Sequence, residues 1–405
     1  MMQLNSIRDP DYTLYAGFRV ENIKTSPTPP FDNLAISFLN ELSDKLMADR
    51  EARRYPDIIS FAFWCRRASL SQKKKQLKLE PYTIGRGLAF HVTPSNIPVN
   101  FAFSFAFGLL SGNSNLVRVP RISHKQTQII LGYLNSLFET TRYENLKNRN
   151  SFIYYDRNEK INCTFSSQSD CRLIWGGDQT VHYFKSLPTH ARNVDLCFAD
   201  RYSITILGAR DIILLSDTEL RQFCNNFYND NLQFHQFACS SSHLVNWQGC
   251  DNDIAIAREK FWLELNLITD ARGEMSATDY IDRFAKVGNL AFRQGDFTMS
   301  SNIGDAIYRS DLEHHTTDYE NYRIGYGSFS EIKNISYKAL SEKITSRYQT
   351  ITYFGIDPSE LARNLISAGV KGVDRVVPVG SALSLDLVWD GYDIIRTLTR
   401  IIEVK

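Results

Sequence analysis

No apolar stretch of this 405-residue chain is long enough to span a bilayer. The longest, Val99 to Leu110, contains Asn100 and Ser104 and falls short of the roughly 20 residues that a crossing helix needs. A surplus of one charge is missing as well. Lys and Arg number 46 against 45 Asp and Glu, a net charge of +1, so no bulk field draws the chain to nucleic acid or to an acidic membrane. The seven cysteines are an odd number, with no CxxC and no Cys/His group at zinc spacing, which argues against a disulfide framework and against a metal site. The first residues, MMQLNSIRDPDYTLY, lack the apolar core of a signal peptide, so a cytoplasmic protein is expected. GxSxG, the P-loop and GxGxxG are absent, no Ser-His-Asp arrangement is legible, and no fixed-period repeat or low-complexity tract appears.

What is present is the composition of a soluble globular chain with room for two or three domains, 43% hydrophobic and 22% charged. Residues 1–30 are polar, end in SPTPP, and are expected to form a lead with little regular structure. Beyond them Phe31, Leu34, Ala35, Phe38, Leu39, Leu42 and Leu46 recur at helical spacing, with Pro29 and Pro30 placed to start the helix. Lys73 to Lys75 read as a solvated face. From Gly85 onward short apolar strands alternate with helical segments, which predicts an α/β architecture with a parallel, doubly wound, nucleotide-binding sheet over residues 31–225. The strand Tyr202–Leu207 is read as continuing that sheet. A second α/β domain is expected over 226–370, with helices near 254–267 and 277–292 and Cys239 close to the junction. Residues 371–405 are expected to return to the nucleotide domain or to an oligomer interface.

Four segments carry chemistry. In the first, a strand ending at His91–Thr93 meets Pro94 and Pro98, which stiffen a turn holding Ser95 and Asn96 where α/β sheets bind ligands. The Asn96 amide suits a developing oxyanion, or it caps the following helix. The next strand delivers Arg118 and Arg121 to the same edge, and either suits a phosphate. The second segment, HQFACSSSH, places Cys239 in a loop of small hydroxyl residues between His235 and His243, the surroundings of an activated thiolate; Cys250 is the competing thiol. The third, IWGGDQTV, has Gly176 and Gly177 between a strand and a helix, where backbone can approach a dinucleotide, with Asp178 as cap or ligand. The fourth, DRVVPVGSAL followed by WDG, leads to a last strand.

In this order TPSNIP, GLLSGN, WGGD, CSSS and DRVVPVGSAL with WDG resemble the LuxC-type acyl-CoA reductases, a branch of the aldehyde dehydrogenase superfamily, over roughly residues 80–405. The resemblance implies an aldehyde dehydrogenase-like fold, a Rossmann-type domain plus a catalytic domain. It implies Cys239 as the acyl-accepting nucleophile and Asn96 as oxyanion donor beside the Cys239 backbone N–H. Thr93, Pro94, Ser95, Arg118, Arg121, Gly176 and Gly177 then lie along the cofactor. Arg118 replaces the usual ribose-contacting Lys, which favours NADPH over NADH. The general-base Glu of the hydrolytic relatives is missing from NVDLCFADRYSITIL, as suits an acyl-enzyme that must outlive water; Asp200 is a conceivable substitute. His243 either orients the thiol or the leaving group or finishes a strand. The expected reaction is reduction of an acyl thioester on CoA or a carrier. Reduction of an acyl phosphate and non-redox acyl transfer on the same Cys are the alternatives. A homo-oligomer and an acyl-protein synthetase partner are also implied. The Phe residues from Phe101 to Phe107 are expected to be helix core rather than an acyl tunnel.

Overall fold

The computed structural model describes residues 7–9, 11–122, 124–273, 275–293, 306–312, 316 and 318–405. The chain forms two compact units, Met1–Ala199 with Leu385–Lys405, and Asp200–Ser384. The first contains β1 (Ile7–Arg8), β2 (Thr13–Gly17), β3 (Thr83–Gly85), β4 (Leu88–Val92), β5 (Ser114–Arg118), β6 (Asn150–Tyr154), β7 (Cys171–Trp175) and β8 (Val194–Phe198). All but β3 form one sheet in the order β1-β2-β6-β5-β4-β7-β8. From β6 to β8 it is parallel, while β2 and β1 add an antiparallel edge.

That edge corrects the expectation for residues 1–30. Tyr12, Leu14 and Ala16 alternate at the strand period and are all buried, so a segment polar on average still has one apolar side to bury. Farther on, the backbone N–H of Lys24 donates to Asn148 O (2.8 Å) and that of Thr28 to Gly112 O (2.8 Å). The first long helix, α1 (Asn33–Ala48), lies where its periodicity predicts, but the Pro pair is not its cap. The Asp32 carboxylate accepts from the N–H of Leu34 (2.8 Å) and Ala35 (3.4 Å), satisfying donors that a Pro cannot.

Between β4 and β5 runs α2 (Asn100–Leu110), every residue of which is buried; an apolar helix must be covered on all sides. Its Phe residues join the core with those of α1 and α3 (Lys125–Phe138), as helix core and not a tunnel. α2 seats closely on the sheet because residue 108 is Gly. A Cβ there would lie 1.9 Å from Asn115 Oδ1 and 2.9 Å from His91 Nε2. α4 (Asp178–Ser186) follows β7.

The second unit has six parallel strands, β9 (Tyr202–Gly208), β10 (Ser242–Gln248), β11 (Tyr308–Asp311), β12 (Ser328–Lys333), β13 (Tyr348–Phe354) and β14 (Arg375–Pro378), in the order β11-β12-β10-β9-β13-β14. Its main helices are α5 (Asp217–Asn231), α6 (Asp251–Arg272) and α7 (Ala277–Arg293). Here the structure departs from the expected limits. β9 does not continue the first sheet; it is a central strand of the second, fully buried and paired to β10 and β13. The divide therefore falls at 199/200 rather than 225/226, and Cys239 lies well inside the second unit. A continuous apolar run announces a strand buried on both faces without saying which sheet it enters.

The chain then returns to the first unit from Leu385, not from 371, because β14 completes the second sheet. β15 (Val388–Trp389) pairs with β16 (Tyr392–Asp393), and β17 (Thr399–Ile401) pairs antiparallel with β3 of the same chain. Leu387, Trp389, Ile394, Ile395 and Leu398 belong to the first unit's core.

Candidate active site

In the first unit the register aligns three strand ends. Val92 of β4 pairs with Arg118 of β5 on one side and with Ile174 of β7 on the other. From β4 the strand order leads to β5 and β6 in one direction and to β7 and β8 in the other, which makes the β4/β7 carboxyl edge the switch point where open α/β sheets bind ligands. Thr93, Pro94, Ser95 and Asn96 leave β4 there, Arg118 ends β5 with Arg121 in the loop beyond it, and Gly176 and Gly177 follow β7. Thr93 Oγ1 donates to Arg118 O (2.8 Å), tying the first two loops together. Ser95 and Asn96 are exposed. The residue capping α2 is Val99, without a side-chain bond, so the helix-cap alternative for Asn96 does not hold. Pro98 O accepts from Thr127 Oγ1 (3.2 Å), which anchors the turn.

Arg118 is presented rather than consumed. Its guanidinium carbon lies 4.7 Å from the Tyr155 ring centroid, and it donates to Tyr155 O at 3.4 Å. Gly177 caps α4 with no side-chain bond to the first turn, and Asp178 is already helical rather than the cap. A Cβ on Gly177 would meet nothing within 4 Å. An uncapped helix N-terminus behind an unobstructed backbone, with an arginine on the same sheet edge, fits a dinucleotide phosphate.

In the second unit Cys239 sits in the turn between α5 and β10, its side chain half-buried. His235 and Gln236 have positive φ, 51° and 63°, a conformation that costs non-glycine residues on the order of 1–3 kcal/mol each and needs holding. Gln236 does this holding. Its Nε2 donates to Ser242 O (2.9 Å) and Ser328 O (3.1 Å), while its Oε1 accepts from the N–H of Gly327 (2.8 Å) and Ser328 (3.0 Å). Ser203 Oγ donates to Cys239 O (2.8 Å), Ser241 Oγ to Asp230 O (2.7 Å), and the Ser242 N–H to Asn231 Oδ1 (2.6 Å). Asp230 also accepts from the N–H of Gly380 (2.6 Å) and Ala382 (3.0 Å), so VPVGSAL is fastened to the helix leading into the Cys turn. Sequence reading missed Gln236, Asp230, Asn231 and Ser203; nothing in the spacing announces that Gln236 binds Gly327 and Ser328, or Asp230 Gly380 and Ala382, about 90 and 150 residues away.

The acyl-CoA reductase (LuxC) family matches residues 34–269, more than half of the chain. The chain belongs to the LuxC acyl-CoA reductase family. Its solved structural neighbours are aldehyde dehydrogenases. Methylmalonate-semialdehyde dehydrogenase from Oceanimonas doudoroffii is 13% identical with a TM-score of 0.61, over 92% of this chain and 85% of that one. The NAD-dependent benzaldehyde dehydrogenase from Corynebacterium glutamicum is 12% identical with a TM-score of 0.60, over 92% and 84%. PnpE, solved in complex with nicotinamide adenine dinucleotide, is 10% identical with a TM-score of 0.63, over 90% and 83%. At these identities the fold is what is shared. No curated protein matches in sequence. This LuxC-family chain is thus an oxidoreductase of acyl or aldehyde groups on an aldehyde dehydrogenase-like α/β fold.

The remaining candidates divide on burial. His243 lies in β10, 2% exposed, its ring stacked on Tyr202 at 5.8 Å and 16°. Burial, with Arg323 and Lys286 nearby, holds its pKa well below the usual histidine value, and neither ring nitrogen has a hydrogen-bond partner among the described residues. The structure thus places it buried near the start of β10. Asp200 is ion-paired to Arg323 (2.7 Å) and Arg347 (3.2 Å), which occupies it as a base. Cys250 is exposed and caps α6, accepting from the Asp253 N–H at 3.5 Å. Burial pushes the thiols of Cys65, Cys171 and Cys224 up, leaving them inert. Among the described residues no group of His, Cys, Asp and Glu could hold a metal, and no helix is long and apolar enough to cross a membrane.

Proposed function

We propose that this chain reduces an acyl thioester, carried on CoA or on a carrier protein, to an aldehyde through an acyl-Cys239 intermediate. The Cys239 thiolate adds to the thioester carbonyl, and the tetrahedral oxyanion is met by backbone N–H and by the Asn96 amide, a role for Asn96 that rests on the family resemblance. The bond to the carrier sulfur breaks, the carrier leaves as a thiolate, and the acyl group remains on Cys239. NADPH, when bound, supplies the hydride that converts this thioester to a thiohemiacetal. Collapse returns the thiolate and releases the aldehyde. The cofactor is assigned to the β4/β7 edge, its phosphates toward Gly177 and α4 and its 2′-phosphate toward Arg118 and Arg121. An acyl-activating partner and a homo-oligomer belong to the same reading.

The observation that carries it is the Cys239 turn. Its thiol is half-buried, Ser203 holds its backbone carbonyl, and Gln236, Asn231 and Asp230 hold the chain around it. His243 is given no proton-transfer role, since a buried neutral ring suits packing. The test is oxidation of NADPH by the purified protein across a series of acyl-CoA chain lengths, with Cys239→Ala alongside and intact mass recorded. The expected result is turnover that the variant loses and an acyl adduct that it cannot form. An adduct without oxidation would assign acyl transfer, and oxidation only with acyl phosphate would assign the other reductase chemistry.

A further inference from the structure

Helix α7 is inside out. At 100° per residue Ala277, Ile281, Phe284, Gly288 and Phe292 share one side, and that side faces away from the protein: Ile281 is 68% exposed, Phe284 74% and Phe292 91%. The side turned to the body holds charge. Arg283 is buried; it donates to Ala306 O (2.7 Å) and Tyr326 O (3.0 Å) and lies 3.8 Å from the Tyr308 ring centroid. Lys286 donates to Ile324 O (3.2 Å) and stands over the rings of Phe237 and Tyr326 at 5.0 and 4.9 Å. An ordinary surface helix buries its apolar side and solvates its cations. Here a buried arginine is turned inward beside Leu290, with the exposed Lys286 tied to the body by its ammonium, while Ile281, Phe284 and Phe292 are left outward.

We propose that α7 is a lipid-surface contact, its outward side inserted among the acyl chains of a membrane leaflet. Three observations favour a lipid over a second copy of the chain. The helix is about 26 Å long, and Ile281, Phe284 and Phe292 at 68%, 74% and 91% exposure offer on the order of 450 Å² of apolar side chain, about half of the roughly 800 Å² per partner of a stable protein interface. No charged residue shares the strip, so nothing on it sets the register or orientation that a protein partner requires, whereas a leaflet requires only an apolar side of this kind. Tyr280, at the upstream end of the strip, also lines a cleft of about 70 Å³ with Tyr228, Leu232, His235, Asp270 and Tyr326, so the strip runs into a cleft walled by the segment leading into Cys239. On the reading of Cys239 as acyl acceptor, on which the purpose of the contact rests, a water-insoluble acyl donor and its aldehyde product both partition into that leaflet.

The experiment is flotation of the full-length protein with vesicles of phosphatidylethanolamine and phosphatidylglycerol. Wild type is expected to float. Phe284→Ser/Phe292→Ser is expected to lose on the order of a hundredfold in partitioning, with unchanged melting temperature and unchanged turnover of a short, water-soluble acyl-CoA. Phe292→Ser alone, at the most exposed position, serves if the double variant melts early, with about a tenfold loss. Cys239→Ala should float like wild type, so a failure of the catalytic reading leaves this result intact. The proposal is overturned if wild type does not float, or if the variants float equally. A fall in molar mass by light scattering on Phe284→Ser without any vesicle binding would assign the strip to a second copy and overturn it too.

Discussion

Three buried polar side chains do what their types rarely do. Gln236 spends its whole amide, two donors and one doubly used acceptor, on holding a left-handed turn, and Asp230 fastens the Gly380–Ala382 loop to the same place. Burial raises the Asp230 carboxyl to about 6 against those two backbone N–H bonds, which act to lower it. Asp230→Ala leaves both amides without an acceptor, each worth about 1–3 kcal/mol when buried. The expected outcome is faster hydrogen exchange at Gly380 and Ala382 and a loss of about 2–4 kcal/mol in urea unfolding. His91, between Ser104 Oγ (2.8 Å) and Asn115 Oδ1 (3.0 Å), is brought down by burial to about 4 from 6.5. The unfolded chain therefore binds the extra proton between those two values. Stability contributed by neutral His91 is complete above pH 6.5, falls as pH drops toward 4, and levels off below. The loss is about 3 kcal/mol, to be read as the difference in pH dependence between wild type and His91→Phe. A parallel slope in the two proteins would remove His91 from the account.

Among the elements, the placement of α2 and the attachment of β12 are decided by close fit. Gly108→Ala drives a methyl into Asn115 and His91, both held by hydrogen bonds, and should cost about 2–3 kcal/mol, measured by thermal unfolding. An unchanged melting temperature would mean that the helix can shift outward at little cost. On β12, Glu331 is fully buried. It accepts from the indoles of Trp247 (2.7 Å) and Trp262 (2.9 Å) and from Arg258 (2.9 and 2.8 Å), with Arg309 at 3.5 Å. Removing the carboxylate leaves both indole N–H groups without this acceptor and Arg258 with Asp311 alone (2.6 Å), so Glu331→Leu is expected to cost about 3–5 kcal/mol, and near-ultraviolet circular dichroism of the two indoles should report it. Elements were legible where periodicity was strong. α1, α2, α6 and α7 lie where their apolar spacing predicts, and α7 shows the limit of such reading, because periodicity gives the phase of a helix and not which side meets the protein.

At the scale of the molecule the chain leaves the first unit at Ala199 and comes back at Leu385. The returning segment contributes Leu387, Trp389, Ile394, Ile395 and Leu398 to the first unit's core and β17 to β3. Burying five large apolar side chains stabilises by on the order of 8–15 kcal/mol, as much as a whole domain's net stability. A chain truncated after Ser384 is accordingly expected to lose the first unit's fold and be proteolysed there, while Asp200–Ser384, which contains its own six strands, survives as a protected fragment. Equal protection of both units after truncation would show that the returning segment is dispensable.

Local signals in the amino-acid sequence alone determined the α/β class, the strand and helix succession, the Pro-stiffened turn at Asn96, the Gly pair and the loop thiol, and the order of motifs pointed to the LuxC family. These are properties of neighbouring residues or of short periods, which sterics and hydrophobic spacing set without reference to the rest of the chain. Only the tertiary structure decided that β9 belongs to the second sheet, that residues 13–17 extend the first, that His243 is buried and Asp200 paired, and which distant groups hold the Cys239 turn. Each of those rests on which strand lies beside which, and strand pairing is settled by packing across long separations rather than by the residues on either side.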